Sequence, residues 1–576
     1  MIKKALLFVL AIFVVATYPA SAFAYSGSGT GTPSNPYLIY TCAQLQEMRD
    51  NLTSDFRLEN DINCSGVTNW EPVGFYSGTP FTGTLDGQNY GIYNLSYNGD
   101  GPAGVFGYTT NATITNLSLV NTVTEAAGTV GSLVGDATLT TIDHVTAISP
   151  TVTSTYAVGG LVGIADTVTM TDSAVYNATL SSPSNISADN FGGLMGISES
   201  STIHRSSSSG TIDISLVGIA TNMGGLIGNS LSDQLFDTYS TMDVNGTAST
   251  GGLIGNAAST SITRSYSSGT VTGTNQVGGI VGYGGLMGII NSFSSSPTSG
   301  SSAVGGVMGR AVGAGSSLTG TTWDITRSGQ TQCVGDDQSI SLPADCTGVL
   351  TLDGDPQYFT NTSTLEPLDT WSFGTVWQTT DDLPILITTP ARADNVRVVR
   401  TSTSLTVSWE TPANTGGSAI TSYDLRYRPS SALSSTTVTG LPASSPSLYT
   451  ISGLMPDTEY TIEIRAHNSN GTGIWSGFIT TTLPATTASS SSTASPLSSF
   501  INTDIAEQIA ESMTPISTPI TSQNSNPTSE STKTEDCCSE PQNNNPLTIV
   551  WIVGGIVLGL GGLIWLLRVL SMRRPV

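Results

Sequence analysis

Residues 159–163 have the sequence Gly-Gly-Leu-Val-Gly, and seven similar phrases of two small residues, two apolar residues and a glycine lie between residues 103 and 309. The eight copies begin at positions 103, 131, 159, 192, 224, 251, 278 and 305. A short unit repeated at this period predicts a stack of similar coils rather than one globular core with a catalytic cleft. The fifth residue is always glycine, for which we expect positive φ angles and close backbone approach in tight turns: Gly107, Gly135, Gly163, Gly196, Gly228, Gly255, Gly282 and Gly309.

A second regularity lies eleven residues after the start of the first seven copies, where the residue is always apolar: Ile114, Ile142, Met170, Ile203, Leu235, Ile262 and Ile289. The eighth copy has Ser316 there, which we interpret as the irregularity of a terminal coil. Each unit therefore predicts two short β segments at constant separation, with insertions at residues 181–190 and 214–221. We predict an all-β chain whose first domain is a β-solenoid; a propeller, whose blades need about 40 residues, is the alternative.

The two ends of the chain carry membrane-targeting patterns. Residues 1–24 combine a basic start, an apolar run and a small-x-small motif, which predicts a signal peptide. Residues 547–567 are uncharged and long enough to cross a bilayer, and the arginines of the tail, residues 568–576, follow them. The positive-inside rule then predicts a single-pass protein of the cell membrane with an extracellular N-terminus and a cytoplasmic C-terminus. Residues 484–546, rich in Ser, Thr, Pro and Asn, predict a disordered stalk.

The composition of the chain limits the classes of molecule that it is expected to bind. The chain has 42 acidic and 18 basic residues and a net charge of -24, which disfavours nucleic acid because nucleic-acid affinity depends on Lys and Arg contacts to phosphate. For an exported chain, the simplest assignment of four of its cysteines is two local disulfides, Cys42 with Cys64 and Cys333 with Cys346. Cys537 and Cys538 either pair with each other or bridge two copies of the chain.

The repeats resemble the GLUG repeat of bacterial surface proteins, named for its Gly-Leu-hydrophobic-Gly core. The resemblance extends over residues 33–388. Residues 25–102, which include Pro36-Tyr37-Leu38-Ile39 and Phe81-Thr82-Gly83-Thr84-Leu85-Asp86-Gly87, resemble the cap and first coils that precede such repeats. Residues 103–320 are the repeats. Residues 321–388, with Trp323 and the run from Trp371 to Pro384, resemble the closing segment, apart from the loop between Cys333 and Cys346.

The sequence pattern changes after the repeats, and residues 390–483 show the alternation that is typical of short β-strands. Trp409, with the segment Leu454-Met-Pro-Asp-Thr-Glu-Tyr460, resembles a fibronectin type III domain. The resemblance implies that Trp409 is a core residue and that the hydroxyl of Tyr460 is the hydrogen-bond donor of a tyrosine corner.

The residue patterns predict no catalytic or metal site, and a binding site cannot be assigned. None of His144, His204 and His467 belongs to a metalloprotease motif, and we expect His204 to face a loop. A polysaccharide lyase or glycosidase is the enzymatic alternative, with candidate residues that do not all share one column: Asp143, Asp172, Asp213, Asp237, Asp243, Arg205, Arg264 and Arg310. No cofactor is predicted, although acidic loops at Asp336-Asp337 and Asp353-Gly-Asp355 leave calcium open.

These patterns predict a non-enzymatic, adhesin-like protein displayed at a bacterial cell surface. The expected partners are the membrane and, through the solenoid or its inserted loops, a glycan or a protein of another cell. A purely structural role in the envelope is the second hypothesis, and the lyase or glycosidase is the third.

Overall fold

The computed structural model describes residues 25–484, except residues 69, 76–77, 184–186, 215–217, 314, 339–344, 352–357, 360–365, 380–382, 391–392, 413–414, 417, 431, 433–434, 444–446 and 474. This part of the chain is all-β: a stack of parallel coils followed by an antiparallel sandwich, as predicted. No helix in it has the length and apolar character needed to cross a bilayer. The predicted signal peptide, stalk and membrane span lie outside the described residues, as do Asp353 and Asp355.

The predicted apolar column forms the first ladder of the solenoid. Successive strands pair in parallel, and the ladder places Phe56, Leu85, Ile114, Ile142 and Met170 on consecutive rungs. The column of interior apolar residues continues to Ile289. On the next rung Ile289 pairs with Leu318 rather than with Ser316, because the last corner is longer and moves the apolar residue two positions along the chain. The strands are Tyr37–Ile39, Asp55–Leu58, Thr84–Asp86, Thr113–Val120, Thr141–Ile148, Thr169–Thr171, Thr202–His204, Gln234–Phe236, Ser261–Thr263, Gly288–Ile290 and Ser317–Thr319.

The first ladder belongs to a long parallel sheet, which contains two further ladders that the sequence pattern did not predict. The second ladder includes the ends of Thr113–Val120 and Thr141–Ile148 together with Ile62–Asn63, Gly91–Tyr93, Ala174–Ser181, Ser207–Asp213, Tyr239–Ser240, Tyr266–Ser267, Phe293–Ser294, Thr321–Asp324 and Cys346–Val349. The third includes Ser96–Asp100, Val123–Ala127, Thr151–Thr153, Asp243–Asn245, Val271–Thr272 and Thr298–Ser299.

Two other parallel sheets close each coil. A seven-stranded sheet precedes the glycine-rich phrase: Thr129–Gly131, Ala157–Gly159, Ala188–Gly192, Ala220–Gly224, Ala248–Gly251, Asn275–Gly278 and Ser302–Gly305. A nine-stranded sheet follows it: Phe106–Thr110, Val134–Thr138, Val162–Asp166, Met195–Glu199, Ile227–Leu231, Ile254–Ala258, Val281–Gly285, Met308–Val312 and Val334–Gln338. In sequence, the insertions at residues 181–190 and 214–221 connect strands of the long sheet to strands of the seven-stranded sheet, and residues 188–190 and 220–221 belong to the latter.

The corners between strands explain how the coils turn. Residues with a positive φ that are not glycine recur at several phases of the repeat. Two of these phases are the first corner, with Asn111, Leu139, Thr167, Ser200, Ser232, Ser259 and Leu286, and the second corner, with Asn116, His144, Asp172, Arg205, Asp237, Arg264 and Asn291. A hydroxyl residue often follows and fixes the turn. Ser173, for example, donates to the carbonyl of Thr171 and accepts the N–H of Val145 from the preceding coil.

The eight phrase glycines do not have positive φ angles, so that part of the expectation was wrong. Their role is close backbone approach. A Cβ on Gly255 would lie 2.5 Å from the backbone of Asn222 and of Met223 in the preceding coil. Because real Cβ atoms do not approach backbone so closely, a side chain here would push adjacent coils apart.

Few helices occur in the described residues. Cys42–Gln46 and Ile325–Ser328 are α-helical, and Glu47–Asp50 and Leu368–Thr370 are 3₁₀ turns. The predicted disulfides are both present, Cys42–Cys64 beside the first helix and Cys333–Cys346 near the last coils. Both link segments close in sequence, as short local staples do.

The sandwich has two antiparallel sheets. One contains Asp394–Arg400, Ser404–Glu410 and Ser447–Ser452; the other contains Ser422–Pro429, Thr436–Pro442, Glu459–Asn468, Gly471–Thr472 and Ser476–Thr481. Trp409 is buried in its core and packs edge-on against Tyr423. Tyr460 is also buried, but its hydroxyl accepts a hydrogen bond from the N–H of Met455 at 3.1 Å. The hydroxyl of Tyr460 is therefore an acceptor in this corner, and its role as a donor stays a prediction.

Candidate functional site

The interior side of the second ladder changes its chemistry halfway along the solenoid. Its first rungs point Ile92, Leu119, Ala147 and Val175 inward, and all four are buried. The following rungs point serine inward instead, and these serines are also buried: Ser208, Ser240, Ser267 and Ser294. The polar rungs belong to the coils of the fourth to seventh phrase copies.

The second residue of the phrase explains why only a small side chain fits there. A Cβ on Gly225 would lie 2.3 Å from the Oγ of Ser240, and one on Gly279 would lie 2.1 Å from the Oγ of Ser294. Hydrogen bonds satisfy the hydroxyls: the Oγ of Ser208 lies 2.6 Å from the carbonyl oxygen of Gly225. Buried hydroxyls with such partners are tolerated in a packed interior.

The exterior side of the same rungs is aromatic. Tyr239, Tyr266 and Phe293 stack as a ladder with ring centroids 5.0 and 4.9 Å apart and planes within 3° of parallel. Their position fifteen residues after the start of the fifth, sixth and seventh copies places them on one column. In these two columns the usual arrangement is inverted, because serine points inward and aromatic rings point outward.

Residues 366–379 and 383–387, which we call the strap, cover this aromatic ladder. The strap contains the 3₁₀ turn and the short hairpin of Trp377–Gln378 with Ile385–Leu386. Trp371 stacks 5.6 Å from Phe293 and donates its Nε1–H to the carbonyl of Asn291 at 2.8 Å. Tyr266 donates its hydroxyl to the carbonyl of Pro384 at 2.9 Å. These contacts bury a second hydrophobic cluster outside the coil.

An ion-paired corner anchors the strap. Trp377 is fully buried and donates its Nε1–H to Asp237 Oδ1 at 3.0 Å. Arg264 donates to both oxygens of the same carboxylate, each at 2.7 Å. Burial alone would raise the pKa of Asp237, but the hydrogen bonds from Arg264 and Trp377 outweigh it and hold the pKa below its ordinary value.

A groove of about 300 Å³ opens where the strap ends. Its aromatic wall is Tyr239 and Tyr266, and Leu383 and Ile385 of the strap form a second, apolar wall. Tyr176 lies at the end nearer the N-terminal coils. Serine and threonine residues complete the lining: Ser207, Ser208, Ser209, Thr241 and Ser268.

The lining combines flat apolar surface with hydroxyl groups. Ser209 and Ser268 are half-buried and Thr241 is exposed. The Oγ of Ser209 accepts the N–H of Asn177 at 3.1 Å and keeps its own proton for donation. Burial raises the pKa of the Tyr239 hydroxyl, which lies within reach of a hydrogen bond from Ser207. That hydroxyl is therefore neutral at physiological pH and can donate or accept a hydrogen bond. None of the ten lining residues carries a carboxylate, ammonium or guanidinium group.

The candidate enzymatic residues occupy the second corner and are largely engaged with one another. Asp172 and Asp237 do share a column, with Arg205 and Arg264 interleaved between them. Arg205 donates two hydrogen bonds to Asp172, and His204 lies 3.4 Å from Asp237 rather than facing a loop.

Other predicted residues lie apart from the groove. His144 lies 3.0 Å from the carboxylate of Asp143. Asp213 ends a strand, and Asp243 begins another and accepts the N–H of Thr270. Asp336 is on the strand Val334–Gln338, not in an acidic loop, and forms an ion pair with Arg310 at 2.6 Å. The calcium prediction remains untested.

Sequence reasoning missed the groove. The sequence does contain a signal for one wall, since Tyr239, Tyr266 and Phe293 occupy the same phase of three consecutive repeats. The second wall could not be inferred, because Leu383 and Ile385 come from a segment more than a hundred residues later. Tyr176 stands alone in its repeat and carries no periodic signal.

Comparisons with known proteins agree with this architecture. The fibronectin type III domain family matches residues 389–482. Halomucin of Haloquadratum walsbyi is 38% identical over 117 residues, which cover 19% of this chain and 1% of halomucin. A putative Gly-rich membrane protein of Evansella cellulosilytica is 36% identical over 147 residues, covering 22% of this chain and 17% of that protein. The chain therefore spans a small part of these relatives.

Two solved structures are similar to parts of this chain. Domains A168–A170 of titin are 24% identical, covering 18% of this chain and 36% of that chain, with a TM-score of 0.15. A putative immunoglobulin A1 protease from Bacteroides ovatus is 17% identical, covering 62% of this chain and 94% of that chain, with a TM-score of 0.35. The family match identifies residues 389–482 as a fibronectin type III domain, and this domain follows the β-solenoid.

Proposed function

We propose that this chain is an adhesin-like protein of the cell surface that binds a glycan in the groove beside the strap. The name of one relative, a putative membrane protein, supports a membrane location, as do the targeting patterns of residues 1–24 and 547–567. In this proposal the repeats are of the GLUG class, and the solenoid and the fibronectin type III domain are held outside the cell by the stalk.

The lining of the groove is the observation that carries the proposal. The C–H faces of sugar rings pack against aromatic rings, and their hydroxyls exchange hydrogen bonds with serine, threonine and tyrosine. Tyr176 and Tyr239 supply the aromatic surface, and Ser209, Thr241 and Ser268 supply the hydroxyls. A concave site with apolar walls and a few convergent polar groups is the usual form of a ligand site.

Glycan-array binding of the full chain tests the proposal. Tyr176→Ala is expected to weaken binding at least tenfold, since it removes half-buried ring surface from the groove while leaving the interior of the coil intact. Tyr283→Ala is the matched control, because Tyr283 is a half-buried tyrosine on the nine-stranded sheet, away from the groove. Binding that is equally unaffected by both substitutions would exclude the groove.

A purely structural role is the second candidate. It is favoured by the parallel ladders, because stacked coils of this kind form without any ligand. A folded chain that binds neither glycans nor cells would support this role over adhesion.

The lyase or glycosidase hypothesis needs carboxylates available for acid–base chemistry. Asp172 and Asp237 are each held by two arginine hydrogen bonds, and both lie on the corner rather than in the groove. We therefore expect no release of reducing ends or unsaturated sugars from polysaccharides incubated with the chain. Such release would favour the enzyme.

A further inference from the structure

The groove also has features that bear on which glycan it would take. The first of these features is the charge of the groove lining. Among the described residues, none that lines the groove is cationic, and the whole chain carries a net charge of -24. An acidic sugar would therefore enter without a counter-charge and against the field of the protein.

The arginines nearest to the lining in sequence do not supply that counter-charge. Arg205 precedes Ser207 by two residues, and Arg264 precedes Tyr266 by two. Both are occupied by carboxylates, Arg205 by Asp172 and Arg264 by Asp237. A guanidinium group whose charge is already paired in this way offers little to a second anion.

The direction of the groove follows from the arrangement of its hydroxyls. Ser208 and Ser240 are paired on adjacent rungs, and Ser240 and Ser267 on the next pair. The residues that follow them, Ser209, Thr241 and Ser268, therefore rise as a staircase of hydroxyls along the solenoid axis. Because parallel strands are about 4.8 Å apart, the staircase is about 10 Å long, which suits about three pyranose rings in an extended chain.

The two ends of the staircase differ. Tyr176 lies at the end nearer the N-terminal coils, and Leu383 and Ile385 of the strap flank the groove. The strap covers the ladder from Tyr239 onward, where the ring of Trp377 lies 6.2 Å from that of Tyr239. A glycan chain that lies along the axis would therefore extend past Tyr176 and away from the strap.

We propose, building on the glycan-binding function above, that the groove binds a neutral linear glycan of about three pyranose rings with its long axis parallel to the solenoid. One ring stacks on Tyr176, and the hydroxyls of the chain bond to Ser209, Thr241 and Ser268. Uronic-acid glycans of the same length are excluded by charge.

Affinity measurements on the full chain test this inference with neutral oligosaccharides of one to six hexose units and with uronic-acid oligosaccharides of equal length. Affinity for the neutral series is expected to rise up to about three units and then level off, in line with the length of the staircase. Neutral trimers are expected to bind at least tenfold more tightly than uronic trimers.

Two variants test whether a hydroxyl of the groove contributes to trimer binding. Thr241→Val keeps the shape of the side chain but removes its hydroxyl, and should weaken trimer binding several-fold while leaving single sugars nearly unaffected. Thr169→Val is the control, since Thr169 is an exposed threonine on the first ladder.

The outcomes separate this inference from the proposed function. Binding that depends on Tyr176 but is equal for neutral and uronic glycans, or independent of chain length, would overturn the inference and leave glycan binding intact. Binding that is independent of Tyr176 would overturn both.

Discussion

The two halves of the second ladder solve the same packing problem in opposite ways. In the first half, residues such as Leu119 and Val175 point inward, and the other face has Ser118 and Thr146 beside the apolar Val120 and Ile148. In the second half, serine points inward and aromatic rings point outward. The difference is possible because the strap supplies a second hydrophobic partner outside the coil.

This contrast shows that a solenoid need not have a uniform inside. A strand face is apolar wherever it meets another apolar surface, whether that surface is the coil interior or a covering segment. The groove lies where one arrangement changes to the other, beside Tyr176 and the end of the strap. The position of the candidate site is therefore a consequence of the packing change.

The strap contact gives the largest expected effect. Trp377→Ala should lower the free energy of unfolding of the C-terminal coils by about 3–5 kcal/mol, because it empties a fully buried site and removes a hydrogen bond to Asp237. Urea denaturation followed by circular dichroism measures the change. A matched Tyr283→Ala substitution should cost less, and equal losses would mean that the strap does not form a second core.

The polar interior predicts a dependence of stability on pH. Asp233 is buried among Ser230 and the N–H of Ser201, and burial raises its pKa to about 6. Since this exceeds the unfolded value, the protonated carboxyl is favoured in the folded state. Its contribution of up to about 3 kcal/mol is present below pH 4 and is lost as the pH rises through 6.

Asp233→Asn should therefore stabilise the protein at pH 7 and flatten the fall in unfolding free energy between pH 4 and pH 6. Denaturation midpoints of both proteins across this range measure the effect. Asp345→Asn is the control, because Asp345 is exposed. If Asp233→Asn leaves the pH profile unchanged, the carboxyl is not desolvated in the way described.

The inward serines give the smallest expected effect. Ser240→Ala should cost about 1–2 kcal/mol, because the buried N–H of Met242 loses its acceptor at 3.1 Å. The neighbouring exposed Thr241→Ala should change stability by less than about 0.5 kcal/mol. Thermal denaturation of the two variants compares them directly, and a neutral Ser240→Ala would show that the serines are only small fillers.

Much of the solenoid could be predicted from the sequence because two of its columns are apolar in nearly every repeat. The phrase residues and the column from Ile114 to Ile289 carry the period without help from other segments. The displacement of the last column residue from Ser316 to Leu318 was not predictable, since only pairing with Ile289 reveals the longer corner.

The second ladder and the groove were not predictable for a different reason. Its inward serines and outward tyrosines invert the pattern by which strands are recognised, so the segments resemble loops. The inversion makes sense only once the strap is placed, and Trp377 is 140 residues from Asp237, the group it bonds. Pairing over such a distance leaves no local signal in the sequence.

A structure of the chain in complex with a neutral trisaccharide tests the central claim most directly. The account predicts sugar rings over Ser209, Thr241 and Ser268, with one ring stacked on Tyr176 and the glycan parallel to the solenoid axis. A glycan bound on the nine-stranded sheet or on the fibronectin type III domain, with the groove empty, would contradict it.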